Sequence, residues 1–100
     1  MPKLIPTKKF LSDVEQLGKN KVLRSKLGKA LASLERDPHY PGLRIERITN
    51  DPSAWSARID SRYRLSFDIS TYQANGAPDW SAPILLLRVL DHDDLYRMPH

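Results

Sequence analysis

The sequence contains no cysteine, and this absence removes several classes of site at once. Disulfide frameworks, zinc–thiolate centres and cysteine nucleophiles are all excluded. No apolar run approaches the roughly 18 residues that a membrane-spanning helix needs. The polar start at Met1–Lys3 leads into no hydrophobic segment of the kind found in signal peptides. We therefore expect a cytoplasmic protein that contacts no membrane.

Lysine is missing from the second half of the chain. Lys and Arg total 16 against 12 acidic residues, which gives a net charge of +4, yet all seven lysines lie at or before Lys29. From Asp51 onwards the chain has five arginines against seven aspartates. A mild basic excess favours a polyanionic partner only weakly, because a solvated surface has the same composition. At 100 residues, 40% of them hydrophobic, the chain is expected to form one domain over residues 1–100.

Two amphipathic helices are predicted in the first third of the chain. The first apolar stripe follows the candidate N-cap Thr7 and ends at Gly18. The second stripe runs from Leu23 to Leu34 and ends before Asp37, which precedes a proline. Because the connection between them is short, the two helices are expected to form an antiparallel hairpin.

The apolar period changes from 3.6 to two after Pro41, which predicts strands. Alternating or apolar segments occur at Leu43–Ile48, Trp55–Ile59, Tyr63–Ile69 and Ile84–Leu90, and a short edge strand is expected at Lys3–Pro6. A long turn is expected at Thr71–Pro83 and a final helical turn within Asp91–Arg97. The order β-α-α-β-β-β-β predicts an α+β fold, with the two-helix hairpin packed on a small, largely antiparallel twisted sheet.

The register between the two middle strands has a chemical consequence. A three-residue loop at Asp60–Arg62 places every core residue of one strand opposite a core residue of the other. On the opposite face this register sets Arg58 directly across from Arg64. Like charges at such positions repel by about 0.2–1 kcal/mol, and a bound phosphate would relieve the repulsion. The alternative is that both arginines pair with carboxylates, for which the candidates are Glu46, Asp60 and Asp68.

Two segments carry a resemblance to a known family. The stretch Trp55–Phe67, which reads WSARIDSRYRLSF, and the ending Leu90–Arg97, which reads LDHDDLYR, resemble the RelE/ParE toxin superfamily. The order of the elements agrees with that family over nearly the whole chain. The resemblance implies the toxin of a two-gene toxin–antitoxin module, with a cognate antitoxin as partner. RelE-like members cleave mRNA on the ribosome without a metal or cofactor, whereas ParE-like members inhibit DNA gyrase.

The same resemblance implies roles for individual residues. RNA cleavage by the neighbouring 2′-hydroxyl needs a base, positive charge at the phosphorus and an acid for the leaving oxygen. Arg64 would stabilise the transition-state charge, and His92 would transfer a proton, since histidine titrates close to neutral pH. Tyr96 would stack on a base or assist proton transfer, and Glu46 would be the general base. The candidates for binding phosphates are Arg58, Arg44, Arg88, Arg62, Lys19 and Lys21.

Several alternatives stand beside these roles. His92 could be a capping or surface residue, Arg88 could pair with an aspartate, and the cluster Asp91–Asp94 could suggest a metal site. Many active members of the family have basic residues around the terminal histidine, whereas this chain has aspartates. The alternative function is therefore non-catalytic: a ParE-like gyrase inhibitor or a RelE-like interaction module. Trp80, in the long turn, could contact a partner or pack locally.

Overall fold

The structure, a computed structural model, describes residues 3–48, 51–69 and 71–95. Its elements, in chain order, are β1 (Leu4–Pro6), α1 (Lys8–Gln16), α2 (Lys21–Arg36), a 3₁₀ turn (Pro41–Leu43), β2 (Glu46–Ile48), β3 (Asp51–Arg58), β4 (Tyr63–Ile69), β5 (Ile84–Asp91) and α3 (His92–Leu95). The predicted order of helices and strands is confirmed.

Side-chain caps define where the two long helices begin. The Thr7 hydroxyl oxygen accepts the N–H of Phe10 at 3.3 Å, and the Asn20 side-chain oxygen accepts the N–H of Leu23 at 3.1 Å. Between them, Gly18 takes a positive φ of 56°, which ends α1 as glycine does at many helix ends. Among the described residues, no helix is both long and apolar enough to cross a membrane.

The five strands form one mixed sheet in the order β1-β5-β4-β3-β2. Only β1, which pairs with β5, is parallel to its neighbour, and the other three pairings are antiparallel. The strand predicted at Leu43–Ile48 is shorter than expected and begins at Glu46. The 3₁₀ turn takes up Leu43, and the next residue, Arg44, has a φ of 45°, which lies far from the extended conformation of a strand.

The main core lies between the helix hairpin and one face of the sheet. Phe10 of α1 and Leu27 of α2 pack there with Leu65 and Phe67 of β4. The other face, which the alternation predicts to be polar, is covered in part. There α3 packs against β4 and β5, and a second apolar cluster forms from Ile48, Ala54, Leu90 and Leu95.

The long turn between β4 and β5 folds back onto the core. Trp80 packs against the main cluster, with its ring 5.9 Å from that of Trp55 and 6.3 Å from that of Phe67. An isolated bridge between Tyr72 and Pro78 closes the turn. Trp80 therefore packs locally.

Candidate functional site

Arg58 and Arg64 face each other across β3 and β4, as the register predicts. Arg58 Nε donates to the main-chain carbonyl oxygen of Asp60 at 3.2 Å, and Arg64 Nη1 donates to the same oxygen at 2.7 Å. In the part of the chain that the structure describes, neither guanidinium lies within 4.0 Å of a carboxylate. Two cations thus converge on one carbonyl, and the expected alternative of pairing with carboxylates is not what the structure has.

Asp60 organises the loop that joins the strands of the two arginines. Its carboxylate accepts the N–H groups of Arg62 at 2.8 Å and Tyr63 at 2.7 Å, and Lys26 Nζ lies 4.0 Å away. Burial by itself would raise the pKa of Asp60. The two N–H donors, with the charges of Lys26 and Arg64, outweigh that effect and lower the pKa below its ordinary value. An ionised Asp60 therefore holds the loop closed at neutral pH.

The candidate base, the arginine pair and the candidate acid follow one another along the strands. Glu46 pairs with Ser56, which lies two residues before Arg58, so the Glu46 side chain is on the same face as the arginines. Glu46 and Arg64 lie two strands apart, which is about 10 Å across the sheet. Along the strand direction they are offset by two residues, which is about 7 Å. His92 lies beyond the pair on the other side. The arginines thus lie between Glu46 and His92.

His92 is fixed at the end of β5 beside the β3–β4 loop. Its N–H donates to the carbonyl oxygen of Arg62 at 2.8 Å, and its half-exposed ring has Nδ1 3.6 Å from Asp93 Oδ1. Arg64 pairs with Leu90, two residues earlier, which puts the Cα of His92 about 7–8 Å from that of Arg64. The backbone of His92 is therefore close to the arginine pair. Tyr96 lies outside the described residues.

Aspartates around His92 engage neighbouring groups. Asp91 accepts a hydrogen bond from the Arg62 guanidinium and another from the N–H of Asp93 at 2.9 Å. The Arg62 hydrogen bond is the largest of the causes that lower the pKa of Asp91. In residues 3–48, 51–69 and 71–95, no group of three or more His, Cys, Asp or Glu side chains is placed to hold a metal ion.

The remaining phosphate-binding candidates are dispersed. Arg88 forms a two-bond ion pair with Asp13, at 2.7 and 3.1 Å, so the aspartate alternative for Arg88 is the one observed. Arg62 and Arg44 are exposed at the same end of the sheet as the arginine pair. Two exposed lysines, Lys19 and Lys21, lie at the tip of the helix hairpin. The fold thus gathers only part of the predicted set.

A basic groove was missed by the sequence analysis. It has a volume of about 640 Å³ and lies between α2 and the 3₁₀ turn, next to Arg58. Its rim carries Lys26, Lys29 and Arg36 of α2, with Tyr40 on the opposite wall. Positions 26, 29 and 36 fall on one stripe of a helix, so their spacing was the available signal. What the stripe faces is decided only by the fold.

Comparisons with known proteins match the chain in three dimensions. No protein-family model matches the sequence, and no curated protein matches it. A YoeB/ParE toxin from Agrobacterium tumefaciens is 18% identical with a TM-score of 0.66, and the alignment covers 90% of this chain and 98% of that one. YafQ from E. coli strain BL21(DE3) is 12% identical with a TM-score of 0.71, covering 96% and 99%. A metal-bound toxin from Helicobacter pylori is 20% identical with a TM-score of 0.69, covering 95% and 99%.

The chain has the fold of these toxins. The α+β architecture expected from the resemblance to RelE-like proteins is confirmed, with helices on one face of a five-stranded sheet. The fold carries the arginine pair on the strand face away from the helix hairpin, and α3 covers only part of that face.

Proposed function

We propose that the protein is the toxin of a toxin–antitoxin pair and that it cleaves mRNA on the ribosome as a metal-independent endoribonuclease of the cytoplasm. The observation that carries the proposal is the arrangement of Arg58 and Arg64, which face each other between Glu46 and His92. The fold shared with YoeB/ParE and YafQ structures supports it.

In the proposed reaction, these side chains divide the steps of in-line phosphodiester cleavage among them. Glu46 takes the proton of the 2′-hydroxyl, whose oxygen attacks the phosphorus. The bond from phosphorus to the 5′-oxygen breaks, and His92 in its protonated form gives that oxygen a proton. Arg64 and Arg58 stabilise the charge that develops on the phosphorane oxygens. The products are a 2′,3′-cyclic phosphate and a 5′-hydroxyl, so no water or cofactor is consumed.

The arginines keep donors free for a phosphate. A guanidinium has five N–H donors. Within residues 3–48, 51–69 and 71–95, Arg58 donates to main-chain carbonyls only through Nε, and Arg64 only through Nη1. Those carbonyls orient the side chains without neutralising them, because a neutral acceptor leaves the full charge. A bound phosphate would therefore meet two preoriented cations.

An antitoxin is the proposed protein partner. A solved E. coli DinJ–YafQ toxin–antitoxin complex contains a chain with this fold, 12% identical with a TM-score of 0.70 and covering 95% of this chain and 97% of that one. The cationic face around Arg58 and Arg64 would have to be neutralised or covered to silence cleavage.

A second candidate function is a non-catalytic one, inhibition of DNA gyrase or a RelE-like interaction. The observation in its favour is the acidic surround of His92, in which Asp93 lies 3.6 Å from the imidazole and Asp94 is also exposed. Carboxylates at these positions repel the phosphate that Arg64 attracts.

The deciding experiment is cleavage of mRNA in a purified translation system, mapped by primer extension. Arg64→Ala should lower the cleavage rate about 10²–10³-fold, and His92→Ala and Glu46→Gln about 10²-fold or more. Lys9→Ala, which removes one exposed charge from α1, is the matched control and should cleave like the wild type. A wild type that leaves mRNA intact but blocks gyrase supercoiling would establish the second candidate. Equal cleavage by wild type and Arg64→Ala would refute the proposed mechanism.

A further inference from the structure

The groove between α2 and the 3₁₀ turn carries an excess of positive charge. Lys26, Lys29, Arg36 and Arg58 line it against one acidic residue, Asp37. Asp37 is already engaged, since its carboxylate accepts the N–H of His39 at 3.0 Å. Within the described residues, neither Lys29 nor Arg36 lies within 4.0 Å of a carboxylate. Like charges three residues apart on a helix destabilise it, so an anion in the groove would stabilise this arrangement.

The floor of the groove offers little apolar surface to an occupant. It is formed by Ala30, Leu43 and Ile59, which are core residues with only 7%, 2% and 9% of their surface exposed. An amphipathic helix would need an open apolar strip to bury, and these side chains offer little such area. The rest of the lining combines the cationic side chains with the exposed Ala32 and Tyr40.

Tyr40 supplies a flat aromatic wall. Its side chain is 52% exposed, although it is held in place by the turn below it. A Cβ atom at Gly42 would come within 2.6 Å of the Tyr40 ring, so the ring lies directly over the glycine. An exposed, preoriented ring beside cations is a combination that binds single-stranded nucleic acid, because bases stack on the ring while the cations hold the phosphates.

Arg58, the last residue of β3, borders both the groove on the α2 side of the sheet and the arginine pair on the other face. It lines the groove and also faces Arg64 across the sheet. From Lys26 to Arg36 the stripe on α2 rises about 15 Å along the helix axis. We propose that the groove binds the single-stranded RNA that continues from the cleavage site, with Lys29 and Arg36 on its phosphates and Tyr40 stacked on a base. This inference rests on the proposed function, because it assigns the flanking part of the same substrate.

The test measures binding of a fluorescein-labelled 12-nucleotide oligouridine to the full chain by fluorescence anisotropy over a range of salt concentrations. The double variant Lys29→Ala/Arg36→Ala should lose about fivefold or more in affinity, and the slope of log K against log salt should become shallower by about 1.4, since about 0.7 ion is released per phosphate on a single strand. Lys8→Ala/Lys9→Ala removes two charges from the exposed face of α1 and should change neither quantity. Tyr40→Ala should weaken binding about fivefold or more, and Tyr40→Phe should keep the wild-type affinity.

The outcomes separate the groove from the cleavage chemistry. If the Lys29→Ala/Arg36→Ala variant keeps the wild-type affinity and salt slope while Arg64→Ala still loses cleavage, the proposal that the groove binds RNA is wrong. The proposed function is then unaffected. Groove-dependent binding by a wild type that cleaves nothing would show that the groove binds RNA, but it would refute the nuclease and with it the assignment of the groove to RNA that flanks a cleavage site. A 12-residue polyglutamate peptide that binds more tightly than the RNA, and loses affinity in the same groove variant, would overturn RNA as the occupant in favour of an acidic protein segment.

Discussion

Asp13 and Arg88 form an ion pair that joins α1 to β5 across 75 positions of sequence. Two hydrogen bonds of 2.7 and 3.1 Å link them, and their side chains are only 7% and 13% exposed. Asp13 also accepts the N–H of Val89 at 3.0 Å, so one carboxylate satisfies both a cation and a main-chain donor of the last long strand. The hairpin is thereby attached to the sheet by a polar contact as well as by its apolar face.

Replacing Asp13 should be strongly destabilising. Asp13→Ala leaves a nearly buried guanidinium and a buried N–H without this acceptor, and we expect the free energy of unfolding to fall by about 3–5 kcal/mol. Urea denaturation followed by circular dichroism measures it. Glu15→Ala, which removes an exposed carboxylate from the same helix, should change stability by less than about 0.5 kcal/mol. The double variant Asp13→Ala/Arg88→Met should be less unstable than Asp13→Ala alone; equal or greater instability would contradict this account.

Asp60 should contribute to the acid sensitivity of the fold. Its pKa is lowered in the folded state, so its contribution to stability is present above the unfolded value of about 3.8 and is lost as the pH falls through the folded value. The difference in unfolding free energy between wild type and Asp60→Asn should therefore shrink as the pH falls from neutral through 3.8 and through the lower folded pKa. Glu35→Gln, at an exposed position of α2, serves as the control. A difference that stays constant over this range would show that the charge of Asp60 has no part in closing the loop.

Arg44 should be replaceable by glycine with a gain in stability. Its φ of 45° is a left-handed conformation that costs a residue with a Cβ about 1–2 kcal/mol. Because glycine also loses more entropy on folding, Arg44→Gly should raise the free energy of unfolding by a net amount of about 1 kcal/mol. Arg44→Ala keeps the Cβ and should show no gain. If the alanine variant is stabilised as much as the glycine variant, the destabilisation at position 44 comes from the arginine side chain and not from the left-handed backbone.

Trp80 should stabilise the protein through local packing. Its ring contacts those of Trp55 and Phe67 edge-on or tilted, and His39 packs on it at 5.7 Å. Trp80→Ala should lower the unfolding free energy by about 3 kcal/mol, whereas Trp80→Phe should retain more than half of the wild-type contribution. Thermal and urea unfolding measure both. A Trp80→Ala variant as stable as the wild type would show that the turn does not hold the core.

Much of the fold follows from local patterns in the sequence. The stripe after Thr7 and the alternation in Tyr63–Ile69 each specify an element, because their periods match one secondary structure and no other. The run at Ile84–Leu90 has no such period, but its short length and its position after a turn favour a strand. The facing of Arg58 and Arg64 was predictable for the same reason: a slip of one residue would have turned the core residues of a strand to the opposite face. The prediction that a strand begins at Leu43 was wrong, because the backbone is left-handed at Arg44. No simple sequence pattern marks that residue.

The sequence by itself determined most of the elements, their order and the register of the central strands, since these depend on which residues alternate and where chain breakers occur. Only the tertiary structure decided the partners of the charged residues. Arg88 pairs with Asp13, far away in sequence, and the two arginines of the pair share a carbonyl of Asp60. The groove beside them likewise arises where α2 lies against the 3₁₀ turn. Charge partners depend on distances between elements, and those distances are fixed by packing, which a one-dimensional pattern does not encode.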